Sequence, residues 1–342
     1  MSSLGENSKR LSASQVQSLE GLFAKRLNIA SPTVGNTWLR KRLIVEYPLI
    51  DPLPHNDLRD VIAKQLEDIL DDDDISRLNS NTISGCWHVC PIFRQPQTGP
   101  SCGIAALNMA VRSAREKYQD FTVGEYSTPE ICDCIGEVNR SNDSGSAESL
   151  LELAQNIGIS NDGELFCAYN LAYLSNSFFS IPLFVRELDH NSKINIVKSL
   201  LSGLPVLIPY DRSFSDHKPS SHAGTHAHWA VIGGFILLDS SNETFASGDL
   251  PTLIIGSYGS IRTLNSGSIP LESILDSVNA TEVYVVCYHG MSNKPFVCTL
   301  SSLLDSCQQL KESKSKFYKS SEDMRHLRNK VVFFGRCDFC DS

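Results

Sequence analysis

Apolar positions along the chain keep two rhythms. In the first 80 or so residues the spacing is helical: Val16 to Leu27 is amphipathic, and Leu58, Val61, Ile62, Leu66, Ile69 and Leu70 predict a helix over 58–70. The intervening "YPLIDPLPHND" holds three prolines and reads as extended chain. Residues 1–80 are therefore expected to form a helical, partly flexible extension. Further on, Ile104, Leu107 and Val111 recur at spacings of three and four, predicting a helix over 102–116 with one buried stripe. Gly99 and Pro100 bar that helix from extending backward, so Cys102 falls in its first turn. The polar loop "NRSNDSGS" precedes another helix from Ser146 to Ile157, stopped at Gly158, and "SKINIVKSLLSG" repeats the pattern up to Gly203.

From there the rhythm shortens. "LPVLIPY" (204–210) and "EVYVVCY" (282–288) are continuous apolar runs of strand length, and "HWAVIGGFILL" (228–238) is a longer one. "PTLIIGSYGSIRTLN" (251–265) predicts a hairpin around Tyr258-Gly259. Helices first and strands later point to an α+β fold with an antiparallel sheet. The expected organisation is an extension (1–80), a main domain (81–300) and a basic C-terminal segment (301–342).

Composition adds limits. At 342 residues with 41% hydrophobic and 20% charged residues, the chain has the make-up of a soluble globular protein. No run of about 18 apolar residues occurs, and "MSSLGENSKRLSASQ" lacks the apolar core of a secretory signal, so a cytoplasmic location is expected. There the 11 cysteines stay reduced. A net charge of −9 argues against nucleic acid or an anionic membrane as partner.

Cys102 is the first candidate for chemistry. A free thiol with the reference pKa is only about 3% ionised at pH 7. Unpaired N–H groups and the dipole at a helix start stabilise the thiolate, and a nearby imidazolium makes ionisation nearly complete. The absent side chain at Gly103 lets a substrate carbonyl approach these amides, and Gln97 offers a carboxamide as second oxyanion donor. His228, opening the "HWAVIGGF" strand beside Trp229, is the candidate base. Asn265, ending "IRTLN" on a strand expected beside the His strand, is favoured to orient that imidazole. Asp239 is the rival, but sits 11 residues along His228's own strand, about 35 Å away.

Four histidines, His217, His222, His226 and His228, fall within twelve residues; they could hold a divalent ion, but no local acidic ligand or thiol pair accompanies them. The milder reading is a polar loop crossing the cleft, with His222 and His226 touching substrate. The lone CxxC of Cys337 and Cys340 is weak as a zinc signature. No cofactor is expected.

Taken together, "QTGPSCGIAALNMA", "LLSGLPVLIPYD" and "HWAVIGGF" resemble the actin maturation proteases, within the papain-like cysteine peptidases of the bacteriocin-leader-processing type. The resemblance covers roughly residues 80–290. It implies a papain-like fold and a cytosolic aminopeptidase that removes an N-acetylated Met or Cys from immature actin and exposes the acidic residue that follows. Cys102 would be nucleophile, His228 base and later acid, Gln97 oxyanion donor and Asn265 third member, with Gly103, His226 and Trp229 against the substrate. Actin would be the partner, with profilin a further one although no polyproline run is present. An acidic protein acting on an acidic chain end needs a local basic patch, for which Arg94, Arg212 and Lys218 are candidates. Other cytosolic thiol hydrolases of the deubiquitinase or acyltransferase type, and an inactive peptidase-like actin-binding module, are the alternatives.

Overall fold

The computed structural model describes residues 49–70, 84–118, 149–239, 252–255, 259–263, 271–311 and 324–335, all within one unit. The expected helix at Val16–Leu27, the cysteines Cys132, Cys134, Cys337 and Cys340, and Asn265 lie outside them. In chain order the elements are α1 (His55–Glu67), β1 (Ser84–Val89), α2 (Cys102–Tyr118), α3 (Leu150–Asn156), α4 (Ala168–Leu174) running into a π-helical turn (Ser175–Phe179), β2 (Leu183–Glu187), α5 (Ser192–Leu201), β3 (Val206–Asp211), β4 (Ala227–Asp239), β5 (Thr252–Ile255), β6 (Gly259–Thr263), α6 (Leu271–Ala280), β7 (Val283–Tyr288), β8 (Phe296–Thr299), α7 (Leu300–Gln308) and β9 (Lys330–Phe334). The class is α+β, as the pattern predicts.

β4 organises the sheet. Its first half, Ala227–Ile232, pairs with β3, and its second half, Gly234–Asp239, pairs with β1, so those two strands share one edge. β7 runs along the other edge from Val231 to Leu237. The path β2-β9-β3-β4-β1-β6-β5 follows, with β8 beyond β7. Every pairing is antiparallel except β1 with β6. β3, β7 and β9 are buried at every position, which is why each is apolar along its length, apart from Asp211 at the end of β3 and Lys330 at the start of β9, and does not alternate.

The flanking helices dock by one face. Leu58, Ile62, Ala63 and Leu66 of α1 are buried, and Gln65 extends the edge of β8: its Nε2 donates to Pro295 O at 2.7 Å, and its Oε1 accepts the Val297 N–H at 2.9 Å. Ser149 caps α3 by accepting the Glu152 N–H at 3.0 Å, and Thr299 caps α7 through the Ser302 N–H at 3.2 Å. β9 lies between β2 and β3, so residues 330–334, within the segment expected to stand apart as a basic tail, are built into the sheet.

At Gly233-Gly234, where β3 gives way to β1 and the β7 register shifts, strands crowd together. A Cβ on Gly234 would lie 2.4 Å from Val89 Cγ1 and 2.6 Å from His88 O. Since the second contact is backbone, the sheet itself must move. Gly234→Ala is expected to lower unfolding stability by about 2 kcal/mol or more, read by chemical denaturation; a loss under about 0.5 kcal/mol would show that the junction tolerates a side chain.

Candidate functional site

α2 starts at Cys102 and packs against β4. The ladder with β7 reaches no nearer the start of β4 than Val231, leaving the preceding stretch for the helix end. There the Trp229 N–H is directed at the Cys102 sulfur, as are the N–H groups of Gly103 and of Cys102 itself. Trp229 follows His228 directly, so the thiol and the imidazole expected to work together sit at one junction between helix and strand.

Their electrostatics differ from the expectation of a preformed ion pair. Burial pushes the Cys102 thiol up from its ordinary value; the three N–H groups and the Arg212 guanidinium offset part of this. Burial also pushes the His228 imidazole well below its ordinary value, and His289, Arg212 and His217 push it the same way. Both groups are neutral at rest. His228 is 4% exposed, and its Nε2 has no hydrogen-bond partner among the described residues.

Two rings box the imidazole. Tyr210, opposite His228 in the β3–β4 register, packs edge-on at 5.9 Å between centroids, and His289 packs edge-on at 5.4 Å. The Met291 N–H donates to His289 Nδ1 at 3.1 Å, which leaves that nitrogen bare and puts the ring proton on Nε2. Burial, with His217 and Arg212, lowers the His289 pKa to about 4. His289 carries no motif and follows a buried strand, so spacing alone does not mark it.

Gln97 reaches the same place by another route. Its N–H donates to Gly290 O at 2.8 Å, its Nε2 donates to Gly99 O at 3.0 Å, and its buried Oε1 has no partner among the described residues. Gly290 is packed so closely that a Cβ would fall 2.7 Å from Gln97 Cβ. An open depression of about 450 Å³ lies here, lined by Pro96, Gln97, Gly99 and the 290–293 turn.

Two expected substrate contacts face the interior. The bare side of Gly103 meets Leu165, whose Cβ would be 2.8 Å from an added Cβ, and Trp229. Trp229 is 1% exposed and donates its indole N–H to Leu165 O at 2.9 Å. Gly103 is small so that the helix can pack closely, and Trp229 is core. His226 is half-buried against Phe214, with ring centroids 4.0 Å apart. Asp239 ends β4 opposite Ser84, far along the strand from His228. β6 is not beside β4 as expected: β1 separates them, with Thr263 level with Trp87 and, through it, Ile236. Among the described residues no group of three His, Cys, Asp or Glu side chains is placed to hold a metal ion.

Of the three expected cations, Arg94 is committed: Nε and Nη2 donate to Asp51 O at 3.1 and 2.8 Å, and Nη1 to Asn293 O at 2.8 Å. Lys218 lies in the field of Asp216. Arg212 begins the histidine-rich loop, which is shaped by the residue before it. The buried Asp211 carboxylate accepts the N–H groups of His222 at 2.6 Å, Gly224 at 2.9 Å and His226 at 3.1 Å. Ser306 of α7 donates to Asp211 O and accepts its N–H, both at 2.9 Å. Tyr210 Oη donates to His217 O at 2.8 Å, holding His217 at a left-handed φ of 60°.

Comparison with known proteins adds the family. Residues 132–236 match the model of the actin maturation protease-like C-terminal domain. Proteins named actin maturation protease are similar to the chain. The one from Xenopus tropicalis is 30% identical over 198 residues, 57% of this chain and 53% of that protein. The one from Danio rerio is 29% identical over 219 residues, 63% and 61% respectively, and the one from Homo sapiens 29% over 144 residues, 41% and 33%. The chain thus spans about half the length of the first of these relatives. No solved structure matches. The family match takes in the 212–226 loop and His228, while Gln97 and Cys102 precede it. No helix among the described residues is long and apolar enough to cross a membrane.

Asp211→Asn replaces one acceptor oxygen by a donor, so at least one loop N–H loses its partner. The variant is expected to lose about 1–3 kcal/mol of stability and to exchange the His222, Gly224 and His226 amide hydrogens faster; unchanged exchange at all three would remove Asp211 as organiser of the loop.

Proposed function

We propose that the protein is a cysteine aminopeptidase that removes an N-acetylated Met or Cys from immature actin, using Cys102 as nucleophile and His228 as base. The observation carrying this reading is the convergence of the α2 start and the β4 start on one sulfur, with the buried His228 imidazole on the residue immediately before Trp229, in a chain whose similar proteins are named actin maturation protease. The described sheet and leading helix are compatible with the papain-like arrangement, which we propose for the domain. A cytoplasmic location fits an actin substrate, and profilin-bound actin is a natural form to test.

In this reading the neutral pair works by general base catalysis. The Cys102 proton passes to His228 as the sulfur attacks the carbonyl of the acetylated residue, and the tetrahedral oxyanion is met by N–H groups at the start of α2 and by the Gln97 carboxamide. Protonated His228 then gives its proton to the departing amine of the next residue, and water cleaves the thioester. Burial disfavours both charged forms, so the thiol stays unionised until substrate arrives.

The ring contacts of His228 support His289 as the group that holds it in place. His289→Ala is expected to lower kcat/KM about tenfold or more, and Asp239→Ala less than threefold; a larger loss at Asn265→Ala than at His289→Ala would return that role to the carboxamide. Because the His228 pKa is depressed, the base is already neutral below pH 6.5. The acid limb of kcat/KM should therefore lie below the ordinary imidazole value, and a limb at or above it would overturn the neutral pair. The deciding assay incubates wild type and Cys102→Ala with acetyl-Met and acetyl-Cys actin N-terminal peptides and with whole actin, and reads products by mass. Loss of the first residue with wild type alone is expected; intact substrates throughout would reject the reading.

A further inference from the structure

Arg212 stands at the edge of this site with only its Nη1 donors engaged. A guanidinium has five N–H donors in a planar fork. Nη1 is satisfied by His217 Nδ1 at 3.1 Å and, more weakly, by Ser213 O at 3.4 Å. No described residue accepts from Nε or Nη2, and no described carboxylate forms an ion pair with this arginine. Arg94 is the contrast, since its Nε and Nη2 converge on one carbonyl.

Nearby carboxylates are otherwise occupied. Asp211 is saturated by three backbone N–H groups, and Asp216 accepts the Lys218 N–H at 3.2 Å. The guanidinium is also held in orientation. Its Cζ lies 5.4 Å from the ring centroid of Phe214, a side chain left 69% exposed, while the backbone N–H of Arg212 fixes the base of the side chain by donating to His226 O at 3.3 Å. The fork is thus fixed along its Nη1 side, and the Nε–Nη2 side is open.

That open side is near the chemistry. His217, bonded to Arg212, has its ring 5.3 Å from His289, which has its ring 5.4 Å from His228. Leaving a half-buried cation without a counter-charge is costly. The Nε–Nη2 edge matches the two oxygens of a carboxylate.

We propose that Arg212 is a specificity-determining residue that receives, through Nε and Nη2, the side-chain carboxylate of an Asp or Glu close to the bond cleaved. This rests on the reading of Cys102 and His228 as the reacting pair. Phe214 supplies the wall along which the acidic side chain lies.

The test uses two peptides that differ only in one residue next to the scissile bond, Asp in one and Asn in the other. Cleavage is followed with the full chain, and binding of the same peptides is measured by fluorescence anisotropy in the Cys102→Ala background. Wild type is expected to favour the Asp peptide about ten- to a hundredfold in kcat/KM, with the same order in binding. Arg212→Gln is expected to bring both ratios to about one, and Arg212→Lys to keep part of the preference because the charge remains. A fold defect would depress both peptides together and leave their ratio alone. An unchanged ratio in Arg212→Gln overturns the proposal while cleavage still upholds the peptidase. A binding preference that Arg212→Gln abolishes, without cleavage of either peptide, upholds the anion site and rejects the peptidase reading. Absence of both binding and cleavage rejects both.

Discussion

One strand with three neighbours holds this molecule together. β4 gives one edge to β3 and then to β1, and the other to β7, and the changeover needs two consecutive glycines because neighbouring chains leave no room for a Cβ. Where β7 falls short, the edge of β4 becomes available to the start of α2, and the thiol meets the strand there. Sheet pairing and site geometry therefore have one cause. A shift of one residue in the β4 register would turn His228 to the opposite face and carry the Trp229 N–H away from the sulfur.

Burial then sets the chemistry. A helix start and three converging N–H groups favour a thiolate, but the surrounding apolar core outweighs them, and the same burial disfavours the charged imidazole. Position on a helix is local, whereas desolvation depends on what the rest of the chain stacks around the group. Reasoning from residues 97–110 alone includes the first and misses the second.

The same division runs through what could be read in advance. α2, α5, β4 and β7 are visible as periodic or apolar runs, because each buries a face or a whole strand and must show it, and the β5–β6 hairpin is visible by its Tyr258-Gly259 turn signal. β1, β8 and β9 are short runs whose pairing depends on distant partners, and β9 lies inside a segment marked chiefly by its basic charge. Among site residues, Cys102 and His228 stand out by motif. Asp211 looks like an ordinary strand terminator until its three backbone donors are known, and His289 is a lone histidine until Met291 and His228 are seen around it. Arg94 and Arg212 are equivalent as letters. Only the carbonyls of Asp51 and Asn293, remote in the chain, separate a structural guanidinium from an open one.

The loop from 212 to 226 is not a self-sufficient module. Its shape is dictated by a carboxylate on the strand beneath it, and that strand end is fastened in turn by Ser306, whose one O–H lies within reach of both Asp211 O and Ser220 O, and by Gln309, whose Nε2 donates to Ser220 O. Grafted onto another scaffold by itself, the loop would lose its conformation. A transplant would have to carry Asp211 and the α7 face together, so exchange of this surface between proteins is constrained to proceed as a three-segment block.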